Sequence, residues 1–319
     1  MAAETELHFG ATVPDDDAGT AAQARLMESL GYEYVGLGEH FVRGNPPAPS
    51  HAALPLLGVA AGATEKIRLL SAVLLAPFYH PTVLAKMATG LDIASGGRLT
   101  LGLGIGGEFP VEFEAVGLDV KQRGRRSDEC LEALRRLWTE QHVTYHGRHF
   151  HLNDVTLNPP PTQRPHPPVW VAGRREAAMV RAARHGEGWF PYFYSPDRYH
   201  DSVEKTLGFA AEIGRDLAGF QWAFFSYISI YPTVEEAEAV SARILGSQYL
   251  YGGDFSDIVR RYCILGPVDR CIARLQEYVD AGVRYFIFNF SCPKEERSRH
   301  LETVAREVIP GLRESAGLA

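Results

Sequence analysis

The stretch Ile67–Leu75 is apolar at nearly every position, and it limits the folds open to this chain more than any other segment does. A strand with one face in water alternates apolar and polar residues, whereas continuous apolarity means burial on both faces, as in a parallel sheet covered by helices. The rest of the sequence repeats the theme. Further short strands are expected at Leu7–Val13, Tyr34–Gly38, Arg98–Leu103, Val169–Ala172, Gly188–Phe190, Trp222–Tyr231 and Tyr285–Phe290. Between them, apolar residues recur at helical spacing over Ala18–Leu30, His51–Ala63, Thr82–Ala94, Ser127–Trp138, Arg175–His185, Pro196–Ile213, Val234–Gly246, Pro267–Ala281 and Glu295–Ala316. Asp15–Asp17 offers N-capping carboxylates to the first of these helices. The stretch between Glu108 and Ser127 reads as a polar excursion, Val143–Leu152 as a small hairpin around His146-Gly147, and Tyr249–Ile264 as irregular chain or an inserted helix. Eight strands alternating with helices in 319 residues fit an α/β (β/α)8 TIM barrel better than a doubly wound sheet, with loop insertions at the carboxyl-terminal face. The Pro-rich connector Asn158–Pro168 is a bend within one domain spanning residues 1–319.

Composition removes several classes of function. A formal charge of −7 without any basic run argues against a nucleic-acid partner. The longest apolar run, near Leu69–Phe78, is too short to span a bilayer, so no membrane association is expected. The first residues lack a basic stretch and an apolar signal core, which makes cytoplasmic residence the expectation. Cys130, Cys263, Cys271 and Cys292 show neither a disulfide pattern nor zinc spacing. His142, His146, His149 and His151 crowd the hairpin, but its alternation scatters them over both faces, so no metal site is expected.

In a barrel the carboxyl ends of the strands share one face, and active sites lie there. That face would collect Pro14, Glu39-His40, Gly104–Glu108, Gly173-Arg174 and Pro191-Tyr192, a set suited to a flat conjugated ligand with an anionic tail. His40 reads either as a hydrogen-bonded strand-end residue or, at a barrel mouth, as a residue that takes part in the chemistry. Glu39 and Glu108 are further catalytic candidates, and Glu108 reads equally as a loop charge. Gly102-x-Gly104-x-x-Gly107 satisfies the dinucleotide fingerprint in form only, because strand–helix units precede it and Pro110 follows where a helix should open. Gly104 and Gly106 read better as backbone that a cofactor ring approaches closely. Gly173-Arg174-Arg175 precedes a helix and outlines a phosphate site, or else a solvated helix start. Trp189 is placed near the mouth as a cofactor-binding residue.

Several motifs together resemble the bacterial luciferase-like monooxygenases. They are Glu39-His40-Phe41, Gly44-Asn45-Pro46, Ala63-Thr64-Glu65-Lys66, His80-Pro81, Asp92-x-x-Ser95-x-Gly97-Arg98, Glu112-Phe113 with Gly117, Arg123-Gly124-Arg125 and Val169-x-x-Ala172-Gly173. The likeness runs from Leu7 to about Trp189 and returns at Gly266-Pro267. It implies a barrel that binds reduced FMN or the deazaflavin coenzyme F-420 at the strand ends. With FMN and O2 the reaction would be oxygenation of a small substrate; with F-420 it would be hydride transfer; a flavin-binding barrel without activity is the third possibility. The resemblance puts His40 beside the isoalloxazine ring and a non-prolyl cis peptide at the cofactor site near Ala72-Val73. Glu39, where F-420 members usually carry Asp, favours FMN. Ile105-Gly106 stands where luciferases carry an arginine, which moves phosphate binding onto Arg174 and the helix behind it. Glu108 is similar, with one glycine inserted, to an acidic residue of deazaflavin-dependent dehydrogenases. No NAD-binding unit is visible, so a separate flavin reductase would supply reduced FMN. Members of the family are commonly homodimers through barrel helices, and His51–Ala63 with Thr82–Ala94 could form such a face. Loops Phe41–Ser50, Tyr192–Pro196 and Tyr249–Ile264 would wall the pocket, and their aromatic content points to an apolar or aromatic substrate.

Overall fold

The computed structural model describes residues 6–14, 19–43, 48–249 and 255–318. The expected cap at Asp15–Asp17 and the Gly44-Asn45-Pro46 motif lie outside the described residues. In chain order the elements are β1 (His8–Thr12), α1 (Thr20–Ser29), β2 (Tyr34–Leu37), α2 (Ala53–Ala63), β3 (Arg68–Ser71), β4 (Leu74–Leu75), α3 (Pro81–Ala94) and β5 (Leu99–Gly104). Then follow α4 (Pro110–Ala115), α5 (Arg123–Thr139), β6 (Val143–His146), β7 (His151–Val155), β8 (Val169–Ala172), α6 (Glu176–His185), β9 (Gly188–Phe190) and α7 (Pro196–Glu212). The chain continues with β10 (Gln221–Ile230), α8 (Val234–Tyr249), α9 (Ser256–Tyr262), β11 (Ile264–Gly266), α10 (Val268–Asp280), β12 (Tyr285–Phe290), α11 (Arg297–Thr303) and α12 (Ile309–Ser315).

The strands form a closed parallel barrel in the order β1, β2, β3/β4, β5, β8, β9, β10, β12 and back to β1. Every one of these pairings is parallel, as expected for strands buried on both faces. Tyr34, Leu70, Trp170, Phe190, Tyr285 and Ile287 pack together inside the barrel. Tyr34, Trp170 and Tyr285 stand at or next to the amino ends of their strands and meet ring to ring at 5.4–6.2 Å. This aromatic layer closes one end of the barrel and leaves the carboxyl end for a cavity. A larger apolar layer, including Leu57, Leu84 and Leu134, seals the helices onto the outside of the strands.

Several boundaries differ from the sequence expectation. The run Ile67–Leu75 is two strands, and the Ala72–Val73 peptide between them is cis and non-prolyl, where the resemblance implied one. A short helix does open at Pro110, so the excursion after β5 is α4 plus a turn of 3-10 helix; proline occupies its first turn, where no N–H partner is required. The closing helix is divided by a π-helical turn at Val304–Val308, and β11, which pairs with the end of β10, went unforeseen. The hairpin β6–β7 is antiparallel as expected; His142 pairs with Asp154 at 2.6 Å and His146 with Asn153 at 2.7 Å. Its tip reaches back to the first half of α5, where the Glu129 carboxylate accepts the N–H groups of Arg148 and His149 at 3.0 and 2.8 Å, and Phe150 meets the His80 ring at 5.4 Å.

Part of the motif set is structural. Asp92 is fully buried and accepts the N–H groups of Thr162 and Gln163 at 2.7 and 3.0 Å, which anchors the Pro-rich connector. The Arg98 guanidinium donates to the Ala61 carbonyl in the last turn of α2 and to those of Thr64 and Ile67 just beyond it. All four cysteines are buried, with free thiols. Among the described residues no helix is long and apolar enough to cross a membrane.

Candidate functional site

A cavity of about 730 Å³ opens at the carboxyl ends of the strands, a volume suited to a cofactor with a small substrate. It is lined by His40, Glu39, Ala72, Val73, Gly104, Gly106, Glu108, Gly173, Arg174 and Arg175, all singled out in the sequence, because each follows the end of a parallel strand. Trp189 is the exception and a correction. Its side chain faces outward from β9, fully buried between Tyr194 and Tyr199, and its indole N–H donates to the Gly173 carbonyl at 3.0 Å. It steadies the Gly173 turn without facing the cavity, since alternate strand residues point to opposite faces.

At the floor, neighbouring side chains pack directly against glycine backbone. A Cβ on Gly104 would stand 2.8 Å from Val73 Cγ2. Gly173 has φ +136°, and a Cβ there would meet Ala178 at 2.7 Å, so the turn into α6 requires glycine on both counts. At that turn Arg174 and Arg175 stand exposed before the N-terminus of α6, where free N–H groups and two guanidinium ions favour an anion. Arg123, to which no role was given from sequence, also lines the cavity beneath Gly107 and donates to the Val120 carbonyl at 2.8 Å.

Three carboxylates surround His40, and their environments separate them. Glu108 faces the cavity and accepts a short hydrogen bond from the Tyr192 hydroxyl, while Arg174 lies over the Tyr192 ring at 4.6 Å. Burial raises the Glu108 carboxyl above its ordinary value; nearby His40 and Arg174 oppose that shift and Glu112 adds to it. Such a group keeps its proton at higher pH than a surface glutamate does. Glu39 is turned away from His40: its carboxylate accepts the Tyr79 hydroxyl at 2.6 Å and the Ala53 N–H, at the start of α2, at 3.3 Å. It is an anchor between β2, α2 and the segment after β4, not a free acid. Its carboxyl is also raised by burial, against the hydrogen bonds from Tyr79, Ala53 and Leu75.

A pH dependence follows. With a folded pKa above that of a solvated glutamate, Glu39 binds its proton more tightly when folded, so its contribution to stability is present below the solvated value and is lost as pH rises through the folded one. In Glu39→Gln the unfolding free energy is therefore expected to fall less steeply than in the parent as pH increases from 4.5. Urea titrations at a series of pH values check this; parallel curves would refute it.

The third carboxylate, Glu112, is fully buried, and its Oε1 lies 3.1 Å from His40 Nδ1 while its Oε2 accepts the Phe41 N–H at 2.7 Å. Sequence reasoning noted Glu112 only within a motif. An acidic residue in the first turn of a short helix reads as a solvated, dipole-matched side chain, and only its pairing with Phe113 hinted otherwise. Phe193 stacks on Tyr227 at 4.7 Å and Tyr249 on Phe255 at 5.7 Å; Tyr227 and Tyr249, with Tyr192 and Phe225, give the cavity an aromatic wall.

A family model described as luciferase-like monooxygenase matches residues 8–285. The FMNH(2)-dependent dimethylsulfone monooxygenase of Pseudomonas putida is 31% identical over 225 residues, 70% of this chain; the match spans 61% of that enzyme's length. The F420-dependent glucose-6-phosphate dehydrogenase of Intrasporangium calvum is 25% identical over 314 residues, covering 90% of this chain and 92% of the relative. Among solved structures, the monooxygenase RslO1 from Streptomyces bottropensis superposes with a TM-score of 0.82 at 26% identity, over 95% of this chain and 99% of that one.

Proposed function

The chain belongs to the luciferase-like monooxygenase family, and from that premise we propose a flavin-dependent oxidoreductase that uses reduced FMN and O2 to oxygenate a small apolar or aromatic organic substrate. The observation that carries this reading is the conjunction, in one cavity, of His40 and Glu108 with a glycine floor, an arginine-flanked helix N-terminus and an aromatic wall. The residues fit a flavin mononucleotide. The cavity of about 730 Å³ has room for the ring system, and the arginine-flanked start of α6 suits the phosphate. Ala72, Val73, Gly104 and Gly106 would hold the ring system, and Gly173, Arg174 and Arg175 the phosphate. When bound, reduced FMN supplies the electrons that activate O2.

The protein's own part is to exclude water and manage protons. Tyr192 and Phe225 shield the cavity, and Tyr192 fixes Glu108 through its hydroxyl. His40 holds or moves a proton at Nε2, because Nδ1 is engaged by Glu112. Glu108, protonated more readily than a solvated carboxyl, donates one. The reduced cofactor would come from a separate flavin reductase. A homodimer through α2 and α3 belongs to the same reading, supported by exposed Val59, Val83 and Met87 on those helices; sedimentation at the mass of two chains is its expected result.

A second reading, hydride transfer with coenzyme F-420, is favoured by one observation: Glu108 and His40 face the same cavity as a ready acid–base pair. One experiment separates the two. Anaerobic spectral titration should show binding of reduced FMN and none of F-420, and product formed under 18O2 should carry the label. Tight binding of F-420 alone, or product formed equally well without oxygen, would select hydride transfer. FMN binding with no turnover of any compound would leave a flavin-binding barrel without activity.

A further inference from the structure

We propose that Glu112 is the positioning residue for His40, fixing its ring with Nδ1 protonated and Nε2 presented to the cavity. The geometry is specific. An ionised carboxylate can only accept hydrogen bonds, and Glu112 meets two groups: the Phe41 N–H at 2.7 Å and His40 Nδ1 at 3.1 Å. The shared proton therefore sits on Nδ1, and in the neutral ring the lone pair falls on Nε2. Two further contacts support the arrangement, one on the main chain and one on the ring. The His40 backbone N–H donates to Ser50 Oγ at 2.8 Å, and Phe109 meets the ring edge-on at 5.0 Å. The carboxyl groups around the ring are Glu112 behind it, Glu108 across the cavity and Glu39 beside it in the chain, the last held by Tyr79 and Ala53. Of these, only Glu112 touches a ring nitrogen among the described residues.

Burial makes the arrangement exacting. Glu112 is fully enclosed while His40 keeps part of its side chain open, so the pair is a fixed acceptor beneath a partly exposed ring. Glutamine in place of Glu112 keeps the shape but offers a single oxygen. If that oxygen stays with the Phe41 N–H, the amide N–H points at Nδ1 and drives the ring to the opposite tautomer. Loss of a correctly oriented tautomer at a general base lowers turnover by about 10²–10⁴-fold.

What Nε2 does in the reaction rests on the function proposed above; the tautomer does not, and it can be read without cofactor. Long-range 1H–15N spectra of the labelled full chain, with the His40 signals assigned by their loss in His40→Gln, should show Nδ1–H in the parent and predominantly Nε2–H in Glu112→Gln. An Nε2–H ring in the parent would overturn the proposal, as would an unchanged Nδ1–H ring in a folded Glu112→Gln. Should that variant fail to fold, the parent spectrum alone decides. Product formation by Glu112→Gln, from a compound that becomes labelled under 18O2, should fall 10²–10⁴-fold with FMN affinity within a few-fold of the parent. A tautomer switch without loss of turnover would retain the hydrogen bond and remove His40 from the chemistry, a failure of the function reading instead.

Discussion

Replacing His40 by alanine is expected to cut product formation by about 10²–10⁴-fold while leaving the dissociation constant for FMN within a few-fold of the parent. The separation of the two effects is the point. His40 sits where β2 ends, and its ring is held from behind by Glu112 rather than by groups of the floor, so its removal leaves Gly104, Gly106 and the α6 N-terminus in place. A proton-transfer group contributes to the reaction more than to ground-state binding. Anaerobic titration with FMN and steady-state product formation measure the two quantities independently. An equal loss of affinity and turnover would recast His40 as a binding residue, and undiminished turnover would exclude it from the mechanism.

The second large effect concerns the barrel beneath the cavity. Gly102→Ala is expected to destabilise the fold by about 3–5 kcal/mol or to prevent folding, because overpacking against rigid backbone lies at the severe end of core substitutions. A Cβ at this position would lie 2.0 Å from the Ser71 carbonyl oxygen, well inside contact distance. Main chain cannot rotate aside as a side chain does, and β3 is held between β2 and β5. The same approach lets Ser71 Oγ donate to the Gly102 carbonyl at 2.9 Å. Urea unfolding should show a lower midpoint with an unchanged slope. Tolerance within 1 kcal/mol would mean that the two strands can part without loss. The glycine pattern at 102, 104 and 107 thus lets β3 backbone approach at 102 and the Val73 and Arg123 side chains pack closely at 104 and 107.

The candidate site was legible in part, and the boundary has a physical cause. His40, Gly104, Gly173 and Arg174 could be found because they follow apolar runs, and the end of a parallel strand is a place the local sequence can mark. Arg123 could not: it opens α5, and its reach to the cavity depends on the path of α4 and the turn before it. Trp189 was misplaced because its strand is only Gly188–Phe190, too short for alternation to reveal which face is inward.

The sequence by itself determined the alternation of buried strands with amphipathic helices, hence the barrel, and the end of it at which chemistry would lie. Those properties follow from hydrophobic period and strand direction, which are local. Only the tertiary structure decided which carboxylate serves His40. Glu39 is its neighbour in the chain, yet it turns to Tyr79 and the start of α2. Glu112, a contact across 72 positions, reaches Nδ1 because the excursion after β5 folds back as a helix against the end of β2. Adjacent residues leaving an extended strand point to opposite sides, so the side chain next in sequence is turned away, and the partner has to come from elsewhere in the fold.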